Sequence, residues 1–163
     1  GELHIMPPAS FPRNRLIRLI QKTLDRRLSN DFDLTWDTGF LISERPRLRY
    51  RVPDLAVIER NAAREFRMRQ TKQDPYARFA PVLVIEVLSP SNRKGDLAQL
   101  LVDYRDLKTA EALVIDPEAE RGTLFARADG ELKMLSESSN GMVTAAGVPI
   151  DLDEIWREFH SLT

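Results

Sequence analysis

Two acids stand where acids are costly. Glu86 lies in Val82-Leu83-Val84-Ile85-Glu86-Val87-Leu88, with apolar residues on both sides. An ionised carboxylate in such a run needs a cation or hydrogen bonds to offset its lost hydration. Asp54 occupies the preceding apolar segment, directly after Pro53, in Val52-Pro53-Asp54-Leu55-Ala56-Val57-Ile58. If the two segments are neighbouring strands, the carboxylates converge at one end of a sheet and repel, and the pair wants a shared proton or a bound metal. Mg²⁺ would satisfy both and could activate a water for attack on phosphorus. Each acid alone has an ordinary alternative: Glu86 paired with an arginine, Asp54 capping a turn. For the two together the readings stand level. The metal reading makes a sharp demand. It fails if the carboxylates lie far apart or if one is locked onto an arginine.

The rest of the chain narrows the chemistry. With no cysteine, disulfides, thiolate zinc sites and cysteine nucleophiles are excluded. Only His4 and His160 are present, so a metal site must be built from carboxylates, and hard oxygen ligands favour Mg²⁺ or Mn²⁺. Ser89 and Ser91 have no histidine near them, and Ser89-Pro90-Ser91 reads as a turn and helix cap. Asp116 before Pro117 reads as a turn, and Gly95 has no glycine-rich phosphate loop around it. Trp36 and Trp156 are assigned to core or interface rather than to base-stacking platforms.

Charge is uneven along the chain. Residues 1–80 carry 16 Lys and Arg against 10 Asp and Glu, a net of +6, and residues 81–163 carry 8 against 15, a net of −7. Arginine forks suit phosphate, so the basic half could hold a nucleic-acid backbone. The plainer reading, solvated surface arginines, is favoured on sequence alone.

The elements that must position the acids can be read from periodicity. Residues 12–28 carry Leu16, Ile20, Leu24 and Leu28 at helical spacing. Residues 32–42 alternate as a strand or hairpin arm broken by Gly39, and 52–58 form a short strand. Residues 61–70 fit a short helix or a mobile loop equally well. Residues 81–88 are apolar on both faces, as in a buried central strand. An amphipathic helix over 93–107 carries Leu97, Leu100, Leu101, Tyr104 and Leu107 on one face. Residues 112–115 form a strand, and 123–126 with 131–135 pair across Asp129-Gly130 as a hairpin. A C-terminal helix starts at Asp151, with Asp151, Asp153 and Glu154 at its positive end. The order predicts one α/β domain, a mixed sheet with helices on its faces. No apolar run approaches the roughly 18 residues of a membrane span, and no signal peptide is visible, so a soluble, cytoplasmic protein is expected. Gly1 in place of a methionine leads to the expectation that a natural N-terminal segment is missing.

Pro53-Asp54 combined with Ile85-Glu86-Val87-Leu88-Ser89-Pro90-Ser91 resembles the bacterial "putative restriction endonuclease" family of the PD-(D/E)XK nucleases. Gly1-Glu2-Leu3 with Met6-Pro7-Pro8, Asp96 with Tyr104, Leu113 to Pro117, and Pro149-Ile150-Asp151-Leu152 extend the resemblance over nearly the whole chain. It implies a restriction-endonuclease-like three-layer fold, with a central mixed β-sheet flanked by helices. It also implies an endonuclease that hydrolyses DNA phosphodiester bonds with Mg²⁺ or Mn²⁺ held by Asp54 and Glu86, the Val87 carbonyl being a further ligand. Such nucleases often pair, so a homodimer is expected.

The chain departs from that family at the lysine that normally polarises the attacking water. The family position four residues before Tyr104 is Leu100, and the strand position two after Glu86 is Leu88. Leu100 lies on the apolar stripe and reads as core. Three readings remain: Lys94 reaches the site, Gln99 positions water without a charge, or the protein binds metal and nucleic acid without cutting efficiently. Losing such a cation commonly costs several kcal/mol at the transition state, roughly a thousandfold in rate. Family members also carry an acidic residue before the Gly-Glu-Leu opening, which is absent here. They often have a histidine where Arg13 stands.

Overall fold

A computed structural model of the protein describes residues 11–92 and 94–162, apart from the side chains of Phe11 and Lys94. The opening motifs at residues 1–8, His4 among them, lie outside the described residues.

The chain begins with helix α1 (Phe11–Arg27) and ends with helix α4 (Leu152–Ser161). Between them a six-stranded sheet has the order β1-β4-β5-β6-β7-β8. Its strands are β1 (Phe32–Thr35), β4 (Leu55–Glu59), β5 (Leu83–Val87), β6 (Glu111–Asp116), β7 (Arg121–Ala128) and β8 (Glu131–Ser138). Only β5 and β6 pair in parallel; the other neighbours are antiparallel. A parallel pair needs a crossover, and α3 (Lys94–Asp106) supplies it. Two small hairpins complete the fold, β2 (Phe40–Ser43) with β3 (Arg49–Arg51), and β9 (Met142–Ala145) with β10 (Val148–Asp151).

Period-two alternation along β4 and β5 sorts the core into two layers. Leu55, Val57, Leu83, Ile85 and Val87 face Leu16, Ile20 and Leu24 of α1 and Leu152, Ile155 and Trp156 of α4. Ala56, Ile58 and Val84 face Leu100 and Tyr104 of α3 and Leu107 just past its end, together with Ala63 of α2 (Arg60–Arg69). The sheet is thus covered on both faces, which is why β5 carries no polar side except at Glu86. Each fully buried Leu or Ile stabilises by about 1.5–3 kcal/mol, so the two layers hold the end of β5 firmly.

Several expectations are refined. The predicted strand over 32–42 is two strands in different sheets, because the chain leaves the main sheet after Thr35 and re-pairs at Phe40. Residues 60–69 are helical, anchored by the buried Ala63. The 123–126 and 131–135 hairpin is present and longer, with Asp129 and Gly130 both at positive φ, the backbone this two-residue turn requires. Asp151 caps α4 by accepting from the Asp153 and Glu154 N–H groups. Trp156 is buried as expected, but Trp36 is 54% exposed and belongs to no core. Its position one residue beyond β1 turns it off the sheet. Among the described residues no helix is long and apolar enough to cross a membrane.

Candidate active site

β4 and β5 run antiparallel with Leu55 opposite Ile85. One further step along that register sets Asp54 opposite Glu86. Alternation then turns both side chains to the α3 face of the sheet, in line with Ala56 and Val84. Asp54 is held in place by the backbone, its Oδ2 accepting from the Val87 N–H at 2.8 Å. Glu86 accepts a hydrogen bond from the Tyr104 hydroxyl of α3. Burial, and next the neighbouring Asp54 charge, push the Glu86 carboxyl up to about 8. Burial and the same Glu86 push Tyr104 well above its ordinary value. Near neutral pH the Glu86 carboxyl is therefore reluctant to give up its proton.

Arginines surround these acids. Arg13 of α1 donates from one terminal nitrogen to Asp54 Oδ1 at 2.5 Å and from Nε to the Val87 carbonyl at 2.8 Å. Arg51 of β3 lies near enough to favour the ionised forms of both Glu86 and Tyr104. Arg51 is anchored by Asp103 of α3, a nearly buried acid that accepts from Arg51 Nε at 2.8 Å and from Arg49 at 2.6 Å. Gln99 adds a third bond to Asp103 at 3.0 Å.

The acids are therefore adjacent, as the metal reading demands, yet Asp54 is engaged by an arginine, which that reading demanded it should not be. The geometry shows what kind of engagement this is. The guanidinium bridges Asp54 and the Val87 carbonyl, two of the three expected metal ligands, so the ligand set already grips a cation. A divalent ion fits these donors in chemistry, since all are hard oxygens, but it must displace Arg13. Among the described residues no group of three or more His, Cys, Asp or Glu could hold a metal.

The remaining candidates separate. Leu100 is 7% exposed and packs with Tyr104 and Leu107, so it is core. Gln99 is committed to Asp103. Lys94 opens α3, and its side chain lies outside the described residues. Ser89 and Ser91 close a turn with Asn92, whose side chain accepts from the Ser89 N–H at 2.5 Å. Asp116 accepts from the Ala119 N–H in its own turn. Sequence reasoning counted Arg51 only among the clustered arginines of the basic half, not at this site, and missed Asp103. The available signal was an acid, Asp103, beside Tyr104 on a helix packed against the sheet, facing an Arg-x-Arg pair that alternates at strand spacing.

The chain is similar to a crystal structure from Anabaena variabilis ATCC 29413 described as a putative nuclease belonging to DUF820. The TM-score is 0.60 at 14% identity, over 91% of this chain and 79% of that one. A family model, Uma2, described as "Putative restriction endonuclease", matches residues 1–153, and the chain belongs to that family. No curated protein matches it.

Proposed function

We propose that this chain, acting as a single cytoplasmic domain, hydrolyses phosphodiester bonds of DNA at a Mg²⁺ or Mn²⁺ site made by Asp54, Glu86 and the Val87 carbonyl. The observation that carries the reading is the strand register that sets Asp54 opposite Glu86, with the Val87 carbonyl beside them; the Arg13 bridge to Asp54 and Val87 counts against it, and a metal would have to displace that arginine. A divalent metal held there supplies an activated water and neutralises charge at phosphorus. The chain's own residues do the rest. Tyr104 fixes the Glu86 carboxylate through one oxygen. Burial and the Asp54 charge make Glu86 reluctant to ionise alone, so it must release its proton to ligate. Arg51, steadied by Asp103, brings positive charge to the place where Leu100 brings none, and Lys94 is the other candidate for that charge.

Leu100 in the core favours a second reading, a protein that binds nucleic acid or a protein partner but cuts poorly. Incubation of supercoiled plasmid and single-stranded DNA with Mg²⁺ and with Mn²⁺ decides between them. Cutting that Asp54→Ala and Glu86→Ala both abolish supports the nuclease, and Arg51→Ala and Lys94→Ala then show which cation serves it. No cutting by the intact chain, with Mn²⁺ binding still lost in the two variants, makes the second reading the right one.

A further inference from the structure

We infer that a groove beside the carboxylate pair is a stacking site for an unpaired nucleobase next to the scissile phosphate, so that the preferred substrate is single-stranded or locally unpaired. This deepens the nuclease reading and rests on it for the word scissile. The groove has a volume of about 560 Å³ and is lined by Trp36, Tyr50, Val52 and Tyr76, with Arg67 and Asp37 at hand. Trp36 is 54% exposed and Tyr50 and Val52 are 48% exposed. Large apolar side chains grouped at a surface mark a binding site.

The rings are held in place. Tyr50 and Tyr76 pack with centroids 4.8 Å apart, and both lie on the Gly39 backbone, where a Cβ would approach Tyr76 to 3.2 Å and Tyr50 to 3.4 Å. Glycine lets the two rings, tilted 42° to each other, seat against the main chain as an aromatic surface. Every base has a π-face, and stacking on such a surface is tolerant of sequence.

Position connects the groove to the site. Thr35 pairs with Ala56, so Trp36 leaves β1 at the same end of the sheet as Asp54. Trp36 follows β1, Asp54 precedes β4 and Glu86 lies in β5, three neighbouring strands of the sheet spaced about 4.8 Å apart. β3 links the two regions: Tyr50 lines the groove, while Arg49 and Arg51 on either side of it turn to Asp103 and the carboxylates. β3 therefore presents Tyr50 to the groove on one face and the Asp103-held Arg49 and Arg51 on the other, so a strand crossing the hairpin edge would stack a base on Tyr50 and carry its phosphate toward the two arginines. A base inside a duplex is already stacked and cannot enter.

The molecule contains its own reporter. Of the two tryptophans, Trp156 is 6% exposed with its indole N–H bonded to the Ser139 carbonyl, so quenching by an added ligand reports Trp36. The experiment titrates the full chain, in EDTA, with oligothymidylate and with a blunt hairpin duplex of equal charge. In parallel it follows fluorescence anisotropy of labelled strands for Trp36→Ala, Tyr50→Ala and Trp36→Phe, each shown folded by its melt. Expected are quenching by the single strand, binding at least tenfold weaker for the duplex, a loss of roughly fivefold or more in either alanine variant, and near-native affinity in Trp36→Phe. Equal affinity for both strands, absence of quenching, or unchanged binding in the alanine variants overturns the proposal. Because no metal is present, the outcome is separate from cleavage. Quenching without any cutting in Mn²⁺ leaves the groove standing and removes the nuclease, and cutting without strand preference does the reverse.

Discussion

Arg13 is the residue on which the site turns. Its guanidinium makes charge-assisted bonds to Asp54 and to the Val87 carbonyl, and such bonds contribute about 1.5–3 kcal/mol each. A divalent metal using the same oxygens must break them. Arg13→Ala should therefore tighten Mn²⁺ binding, by roughly tenfold or more, as read by titration calorimetry, while lowering the melting temperature of the metal-free protein. Weaker Mn²⁺ binding in Arg13→Ala would falsify competition and make Arg13 a partner of the loaded site instead. The contrast with Asp54→Ala is instructive, because that change removes the ligand as well as the competitor and should abolish binding.

At the scale of elements, the site depends on β3 staying docked to α3, and Asp103 is the clamp. It is nearly buried and joins Arg49, Arg51 and Gln99, whereas Arg49 and Arg51 keep 37% and 31% of their side chains exposed. Removing one member of such a pair leaves charge uncompensated, at a cost of up to about 3–5 kcal/mol when both partners are buried. The exposed arginines put Asp103→Ala at or below the lower end. It should melt several degrees early, and restoring only shape with Asn should recover little, since Asn lacks the charge both arginines share. A melt unchanged by either substitution would show that packing alone docks β3. This same element explains what was legible in the sequence. Leu16, Ile20 and Leu24 announce α1, and the run 82–88 announces β5, because local periodicity mirrors burial there. Asp54 and Glu86 could be singled out because each stands in an apolar run, although Asp54 lies one residue before β4 rather than within a strand. β3 could not: Arg49-Tyr50-Arg51 has no apolar alternation, and its strand character comes from pairing with β2 and from an acid 52 residues from Arg51. The β9–β10 hairpin was hidden for a different reason. Its turn sets Ala146, a residue without turn preference, at positive φ beside Gly147. Of the core-or-interface reading of Trp36, only the core half fails, because a large apolar side chain is read as core unless its strand is known to end before it.

For the whole molecule, the carboxylate pair ties folding stability to pH and to metal. Burial and then the Asp54 charge raise Glu86 to about 8 in the folded chain, against an ordinary value near 4.5. The folded state therefore holds the Glu86 proton more tightly than the unfolded one. Its contribution is fully present below about pH 4.5 and is lost as pH rises towards 8, at a limit of about 1.4 kcal/mol per pH unit for one proton. The Arg51 charge and the Tyr104 hydrogen bond, which both favour the ionised form, will blunt that slope. A ligated metal needs the ionised form, so metal binding should release protons and strengthen as pH rises to 8. Thermal melts from pH 5 to 8 should fall across this window in EDTA and fall less, or rise, in saturating Mn²⁺. Glu86→Gln cannot lose a proton, so it should flatten the EDTA curve and remove most of the difference Mn²⁺ makes. Native and Glu86→Gln curves of equal slope in EDTA would mean that Glu86 is already ionised at pH 5. The two acids would then need no shared proton, and the Arg13 and Arg51 charges alone would hold them together.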